Sequence, residues 1–169
     1  EAKPSDLQFI QWGAAVKKLH SVRLPSSLAQ EIPREMFSSP WPGIVRDFLC
    51  RLDGEGFQEP VAAQAARFLK SKRTEVLEGI QCTETLGHAL SAEGLEFKLC
   101  HADLHGWNLL IDPAGGLYLV DWDTLILAPK ERDLMFIGAG IWDSGRSAPQ
   151  EVALFYEGYG SAAIHPRAI

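Results

Sequence analysis

The sequence predicts an α+β fold that is mostly helical, with a small β-hairpin in its second half. Three observations carry that prediction. Apolar residues recur at helical spacing over 7–20, 44–52, 60–90, 131–141 and 149–159. From Glu96 the pattern gives way to short apolar runs of strand length. Between two of these runs lies Asp112-Pro113-Ala114-Gly115-Gly116, a cluster of turn formers that reads as a hairpin reversal.

The elements follow in order. Ser5 or Asp6 can cap a helix over 7–20, with Leu7, Ile10, Ala14, Val16 and Leu19 toward one side. Pro25, Pro33, Pro40 and Pro42 block long regular structure in the Ser- and Pro-rich stretch 21–43. Ile44, Val45, Phe48, Leu49 and Leu52 recur helically until Asp53-Gly54-Glu55-Gly56 breaks the pattern. Pro60 suits the first turn of a long helix that runs to about Leu90 with a break near Gly79. Its expected buried side is Val61, Ala65, Phe68, Leu69, Val76, Leu77 and Ile80. Residues 97–100 read as a strand, and 108–111 with 117–120 as the two arms of the hairpin.

Composition sets the bounds. A chain of 169 residues, 46% hydrophobic, is long enough for one domain with a real core, expected to span 1–169. A net charge of −6 argues against nucleic acid or an anionic membrane as partner and suits a cationic small molecule. Cys50, Cys82 and Cys100 are odd in number and far apart, which argues against a disulfide framework and fits a reducing cytoplasm. No apolar run has the length of a membrane span, and the first residues do not read as a signal peptide.

The chemistry is concentrated in His101-Ala102-Asp103-Leu104-His105-Gly106-Trp107-Asn108 and in Val120-Asp121-Trp122-Asp123. Phosphoryl transfer from ATP needs a carboxylate to orient the attacking hydroxyl, and an amide oxygen and a second carboxylate to hold Mg²⁺ against the phosphates. The spacing His-x-Asp-x-x-x-x-Asn matches a kinase catalytic loop, with Asp121 where a metal-binding Asp belongs. The hairpin sharpens this: Asn108 opens one arm and Asp121 closes the other, so antiparallel pairing brings both toward Asp103.

These residues resemble the aminoglycoside phosphotransferase family of small-molecule kinases, which share the protein-kinase fold, and are most similar to its spectinomycin phosphotransferase-like members. The run Leu127-Ala128-Pro129-Lys130-Glu131-Arg132-Asp133-Leu134-Met135-Phe136-Ile137-Gly138 resembles the continuation seen in that family, as do Leu19-His20-Ser21 and 155–160. The resemblance implies the C-terminal lobe of a kinase-like fold, with Asp103 as catalytic base and Asn108 and Asp121 as Mg²⁺ ligands. It implies that His101 and Asp133 support the loop by hydrogen bonding, and it places Asp123 toward the metal or the substrate without a fixed role. ATP and Mg²⁺ are the implied cofactors. The Gly-rich strand–turn–strand and the strand Lys of an ATP-covering lobe have no counterpart: Gly54-x-Gly56 and Gly138-x-Gly140 lack flanking strands. The expectation is a lobe cut at both ends, inactive by itself, with a surface open to self-association where the other lobe would sit.

Blander readings stand beside these. A lone Asp103 would most often be a helix cap, but the three residues at kinase spacing outweigh that. His101 and His105 sit four apart as zinc ligands can, yet their segment reads as strand and loop, which leaves His101 as a buried structural histidine. His20, His88 and His165 read as surface or helix-end residues, and Trp12 and Trp41 as packing residues. Trp107 and Trp142 flank the motif and are candidates to line a substrate cleft. Asp143, Glu131 and Glu157 could attract an amine, although acidic residues are usually solvated. Three functions compete: an aminocyclitol phosphotransferase, a metabolic kinase acting on choline, homoserine or a sugar, and a non-catalytic binding module.

Overall fold

The computed structural model describes residues 3–54, 56–139 and 144–168. Its elements are helices α1 (Asp6–His20), α2 (Ser26–Glu31), α3 (Trp41–Gly54), α4 (Pro60–Ser71) and α5 (Arg73–Ser91), strand β1 (Lys98–Cys100), a single 3₁₀ turn (Gly106–Asn108), strands β2 (Leu109–Ile111), β3 (Leu117–Leu119) and β4 (Ile126–Ala128), and helices α6 (Glu131–Leu134) and α7 (Ala148–Tyr159). The expected class holds: mostly helical α+β, with a small antiparallel hairpin. Contacts divide the chain into two compact units, residues 1–35 with 95–169 and residues 36–94. No helix among the described residues is long and apolar enough to cross a membrane.

In the first unit, Ser5 caps α1 through a reciprocal pair: Gln8 N donates to Ser5 Oγ (3.3 Å) and Ser5 N to Gln8 Oε1 (2.8 Å). The buried face of α1 is Phe9, Trp12, Val16, Leu19 and His20, whereas Leu7 is exposed. It packs on α7, whose Phe155 and Tyr159 join Leu104 and Leu134 in one core. The helices approach at glycines. A Cβ on Gly158 would overlap the Ile10 carbonyl, and one on Gly13 the Phe155 carbonyl. Backbone cannot yield as a flexible side-chain tip can, so Gly158→Ala is expected to cost about 3 kcal/mol in urea unfolding, the upper part of the range for overpacked cores.

Strand β4 pairs antiparallel with β1, with Leu99 opposite Leu127 and Cys100 opposite Ile126. On its other side Leu127 N donates to Pro33 O (2.8 Å) and Glu35 N to Leu127 O (2.8 Å), so the segment before residue 36 adds a third strand-like edge. The hairpin pairs Leu109 with Leu119 and Ile111 with Leu117. Its turn closes through Asp112 N to Gly116 O (2.9 Å) and Gly116 N to Asp112 Oδ1 (2.8 Å), with Gly115 supplying the left-handed φ of 87°.

The second unit has its own core of Leu49, Leu52 and Ala66, backed by Val45, Phe48, Phe57, Leu69 and Val76. Glu59 caps α4 by accepting from Val61 N (3.0 Å) and Ala62 N (2.6 Å), bonds that hold its carboxyl below the ordinary carboxylate range. The expected long helix is two helices, and the break falls at Lys72 rather than near Gly79. Ser71 Oγ donates to Phe68 O (2.7 Å), competing for a helix carbonyl, and Arg73 turns to α3, reaching Leu49 O (2.5 Å) and Asp53 Oδ2 (2.7 Å). With the helix divided, the expected buried side does not hold: Val61, Ala65, Phe68 and Leu77 are exposed. Trp41, expected to pack, is 66% exposed at the start of α3.

Candidate active site

Strand β1 delivers the chain into the loop that carries Asp103. Ala102, immediately before it, has φ 66°, a left-handed conformation that a non-glycine residue holds only when its surroundings enforce it. The enforcement comes from Asp133, fully buried on α6, whose Oδ1 accepts from Ala102 N (2.7 Å) and Oδ2 from His101 N (3.0 Å). His101 is also fully buried. Its Nε2 donates to Val120 O (2.9 Å), and its ring lies against that of Trp122, centroids 4.7 Å apart. The carbonyl partner fixes Nε2 as a donor, in keeping with a structural histidine.

The 3₁₀ turn then sets Asn108, only 6% exposed, against Asp103. Its Nδ2 donates to Asp103 O (2.8 Å) and to Asp103 Oδ2 (3.2 Å). Both partners are acceptors, so the amide orientation is determined and Oδ1 is the end left for another partner. His105 Nε2 lies 3.4 Å from the same Asp103 Oδ2. Asp103 Oδ1 is therefore the oxygen directed elsewhere, on a side chain 39% exposed.

Beyond β2 and β3 the ladder gains one more bond, Val120 N to Asn108 O (3.0 Å), which sets the residue before Asp121 beside Asn108. Asp121 has φ 66° and is exposed, as are Trp122 and Asp123. Thr124 Oγ1 donates to His101 O (2.8 Å), tying the acidic segment back to the loop. Two positive-φ non-glycine residues thus sit at Ala102 and Asp121, where strain is retained by surrounding hydrogen bonds.

Trp107 is 64% exposed beside this loop, its ring 5.6 Å from that of His105. Trp142 and Asp143 lie outside the described residues. Glu131, read as a solvated acid that could attract an amine, is instead buried and bound to Lys130 Nζ (2.8 Å) and His165 N (2.9 Å).

Sequence reasoning missed His20. It does end α1, but it is 4% exposed, with Nε2 3.0 Å from Asp133 Oδ2 and Nδ1 2.8 Å from the Tyr159 hydroxyl. A signal was present: His20 continues the stripe Phe9, Trp12, Val16 at helical spacing. His20, Cys100 and Asp133 also bring one potential ligand atom each within 4.8 Å. His20 and Asp133 are already bonded to each other, however, and burial pushes the Cys100 thiol well up while it donates toward Ala128 O and Pro129 O, both at 3.6 Å. A separate cavity of about 750 Å³ holds none of the expected site residues. Its lysines and Arg34 are engaged, Lys98 with Glu96 (2.5 Å), Lys130 with Glu131 (2.8 Å), Lys17 over the Tyr159 ring and Arg34 over the Phe97 ring.

Residues 1–168 match the model of the phosphotransferase enzyme family. No curated protein sequence matches significantly. Among solved structures, spectinomycin phosphotransferase APH(9)-Ia in complex with ADP and spectinomycin is 30% identical, covering 98% of this chain and 50% of its own, with a TM-score of 0.84. Its AMP-bound complex is 30% identical, covering 98% of this chain and 52% of its own, with a TM-score of 0.83. A Plasmodium vivax ethanolamine kinase, 16% identical over 94% of this chain and 47% of its own, shares the fold at a TM-score of 0.50. The chain thus spans about half the length of the structures it matches.

Proposed function

The chain belongs to the phosphotransferase enzyme family, and from that premise we propose that the complete protein transfers the γ-phosphoryl group of ATP to a hydroxyl of a small cationic molecule of the aminocyclitol class. The observation that carries this reading is the pair of hydrogen bonds that Asn108 Nδ2 donates to Asp103 O and Oδ2. One amide holds the proposed base in place by its nitrogen and offers its oxygen as a ligand. The similarity to a spectinomycin-bound phosphotransferase supports the acceptor class, and the net charge of −6 suits a cationic acceptor.

The steps assigned to this chain are few. Asp103 Oδ1, free of the bonds that occupy Oδ2, orients the acceptor hydroxyl and takes its proton as the hydroxyl oxygen bonds to the γ-phosphorus and the bond from that phosphorus to the β–γ bridging oxygen breaks, releasing ADP. Asn108 and His105 keep the carboxylate from turning away. Asn108 Oδ1 and the exposed Asp121 carboxylate are hard oxygen donors of the kind Mg²⁺ prefers, and they would hold it. When bound, the metal neutralises charge on the phosphates. The left-handed backbone at Asp121, tied through Val120 and Thr124 to the His101 loop, keeps that carboxylate in register with Asn108. Positioning and electrostatics supply the rate, since little covalent chemistry falls to the protein.

The Mg²⁺ dependence of turnover tests the ligand assignment. Asn108→Ala and Asp121→Ala are each expected to raise the Mg²⁺ concentration for half-maximal activity by roughly 10-fold or more, the scale on which even outer metal partners act. An unchanged Mg²⁺ requirement in both variants would remove these residues from the site.

A further inference from the structure

The cavity of about 750 Å³ beside β1 and β4 has a charge opposite to that of the molecule. Its lining brings five cations, Lys17, Arg23, Arg34, Lys98 and Lys130, against one acid, Glu96. They come from the end of α1, the turn after it, the strand-like edge before residue 36, β1 and the residue before α6, all within the first unit. Pairing neutralises two of the five. Glu96 meets Lys98 Nζ at 2.5 Å, and the buried Glu131 meets Lys130 Nζ at 2.8 Å. The other three have no carboxylate. Lys17 Nζ lies 5.1 Å from the centre of the Tyr159 ring, and the Arg34 guanidinium 4.6 Å from that of Phe97. A ring face attracts a cation without cancelling its charge. Arg23 is exposed and makes no ion pair among the described residues. Three uncompensated positive charges thus line one concavity, whose apolar walls Leu24, Leu99 and Leu127 focus their field.

We propose that this cavity binds a compact polyanion, a small molecule carrying two or more phosphate or carboxylate groups, through Lys17, Arg23 and Arg34. The volume falls within the range of roughly 300–1,000 Å³ found for small-molecule sites. Stacking on Phe97 holds the Arg34 guanidinium in one plane, and a planar fork of that kind grips phosphate or carboxylate by two parallel bonds. A group ordered before the ligand arrives loses less freedom on binding. The occupant is compact because the chain as a whole carries −6, which repels a nucleic acid reaching beyond the cavity. The same three cations repel the cationic acceptor proposed above, so the cavity is no second seat for it. None of Asp103, Asn108 and Asp121 lines it, which sets it apart from the place proposed for the phosphates of ATP.

The test is calorimetric titration of pyrophosphate and of citrate, in magnesium-free buffer, into the complete protein and its Arg23→Gln, Arg34→Gln and Lys18→Gln variants. Both arginines are exposed, so neither change is expected to disturb folding. Lys18 is exposed on the same helix as Lys17 but lies outside the lining, and it controls for bulk charge. At least one of the two anions is expected to bind the parental protein. Each arginine variant is expected to weaken that binding by about 10-fold or more, the worth of one hydrogen bond to a charged group, while Lys18→Gln leaves it unchanged. Affinity for ADP, titrated with Mg²⁺ present, is expected to stay parental in all three, which places the anion away from the nucleotide. Pyrophosphate binding alone assigns the cavity to phosphates, citrate binding alone to carboxylates, and binding of both to either group. Binding of neither anion would overturn the inference. So would binding that survives both arginine substitutions, or that Lys18→Gln weakens as much as they do.

Discussion

Asp103→Asn in the complete protein is expected to lower kcat by at least about 10²-fold, the contribution of a positioned general base, while nucleotide affinity and thermal stability stay near parental values. Stability should hold because the substitution preserves what the fold uses. The Asp103 carbonyl still accepts from Asn108 Nδ2, and a side-chain amide oxygen can take the place of Oδ2 as the second acceptor. What disappears is the capacity to take a proton at the oxygen facing the acceptor. Rate and nucleotide binding, measured on the same preparation, separate the two effects. A variant that binds nucleotide and turns over at the parental rate would show that Asp103 is not the base.

Asp133→Ala is expected to be the most damaging change to the fold of the site. The carboxylate is fully buried and takes three hydrogen bonds, from His101 N, Ala102 N and His20 Nε2. Removing it strands those donors away from water, where an unmade bond costs the full desolvation of the group. A loss of about 3–5 kcal/mol follows from the usual cost of breaking a buried charged network, a large share of the roughly 5–15 kcal/mol that holds a domain together. Asp133→Asn should do little better. Each Asp133 oxygen faces a donor, so an amide nitrogen at either place meets an N–H. Denaturant unfolding of both variants checks this, and a loss below about 1 kcal/mol in Asp133→Asn would contradict it.

The legible and hidden parts of the molecule differ in a physical way. The approach of Asn108 to Asp103 and of Val120 to Asn108 could be read because a loop, one 3₁₀ turn and a hairpin join them within a short stretch, and the Asp112–Gly116 reversal announces itself in composition. Strand β4 could not, since three residues carry no alternation and its partner β1 lies 28 positions away in register at Leu99–Leu127. The helix break at Lys72 comes from Arg73 reaching α3, a contact that local propensity does not see. His20 meets Asp133 across 113 residues and Tyr159 across 139. Only its place on the apolar stripe of α1 hinted at burial, and a polar residue at an apolar position was the signal to follow. Trp41 shows the converse, an aromatic residue at the mouth of a helix with nothing in its own unit to cover it.

The central claim is that this set of residues serves phosphoryl transfer to a small-molecule hydroxyl. Its most direct test is transfer of radiolabelled γ-phosphate from ATP to a panel of aminocyclitols, with choline-like and sugar alcohols beside them, using the complete protein and its Asp103→Asn variant. The expected result is Mg²⁺-dependent label on a cationic aminocyclitol, lost in the variant. Label on no small molecule in the panel, or equal label with and without the Asp103 carboxylate, would contradict it.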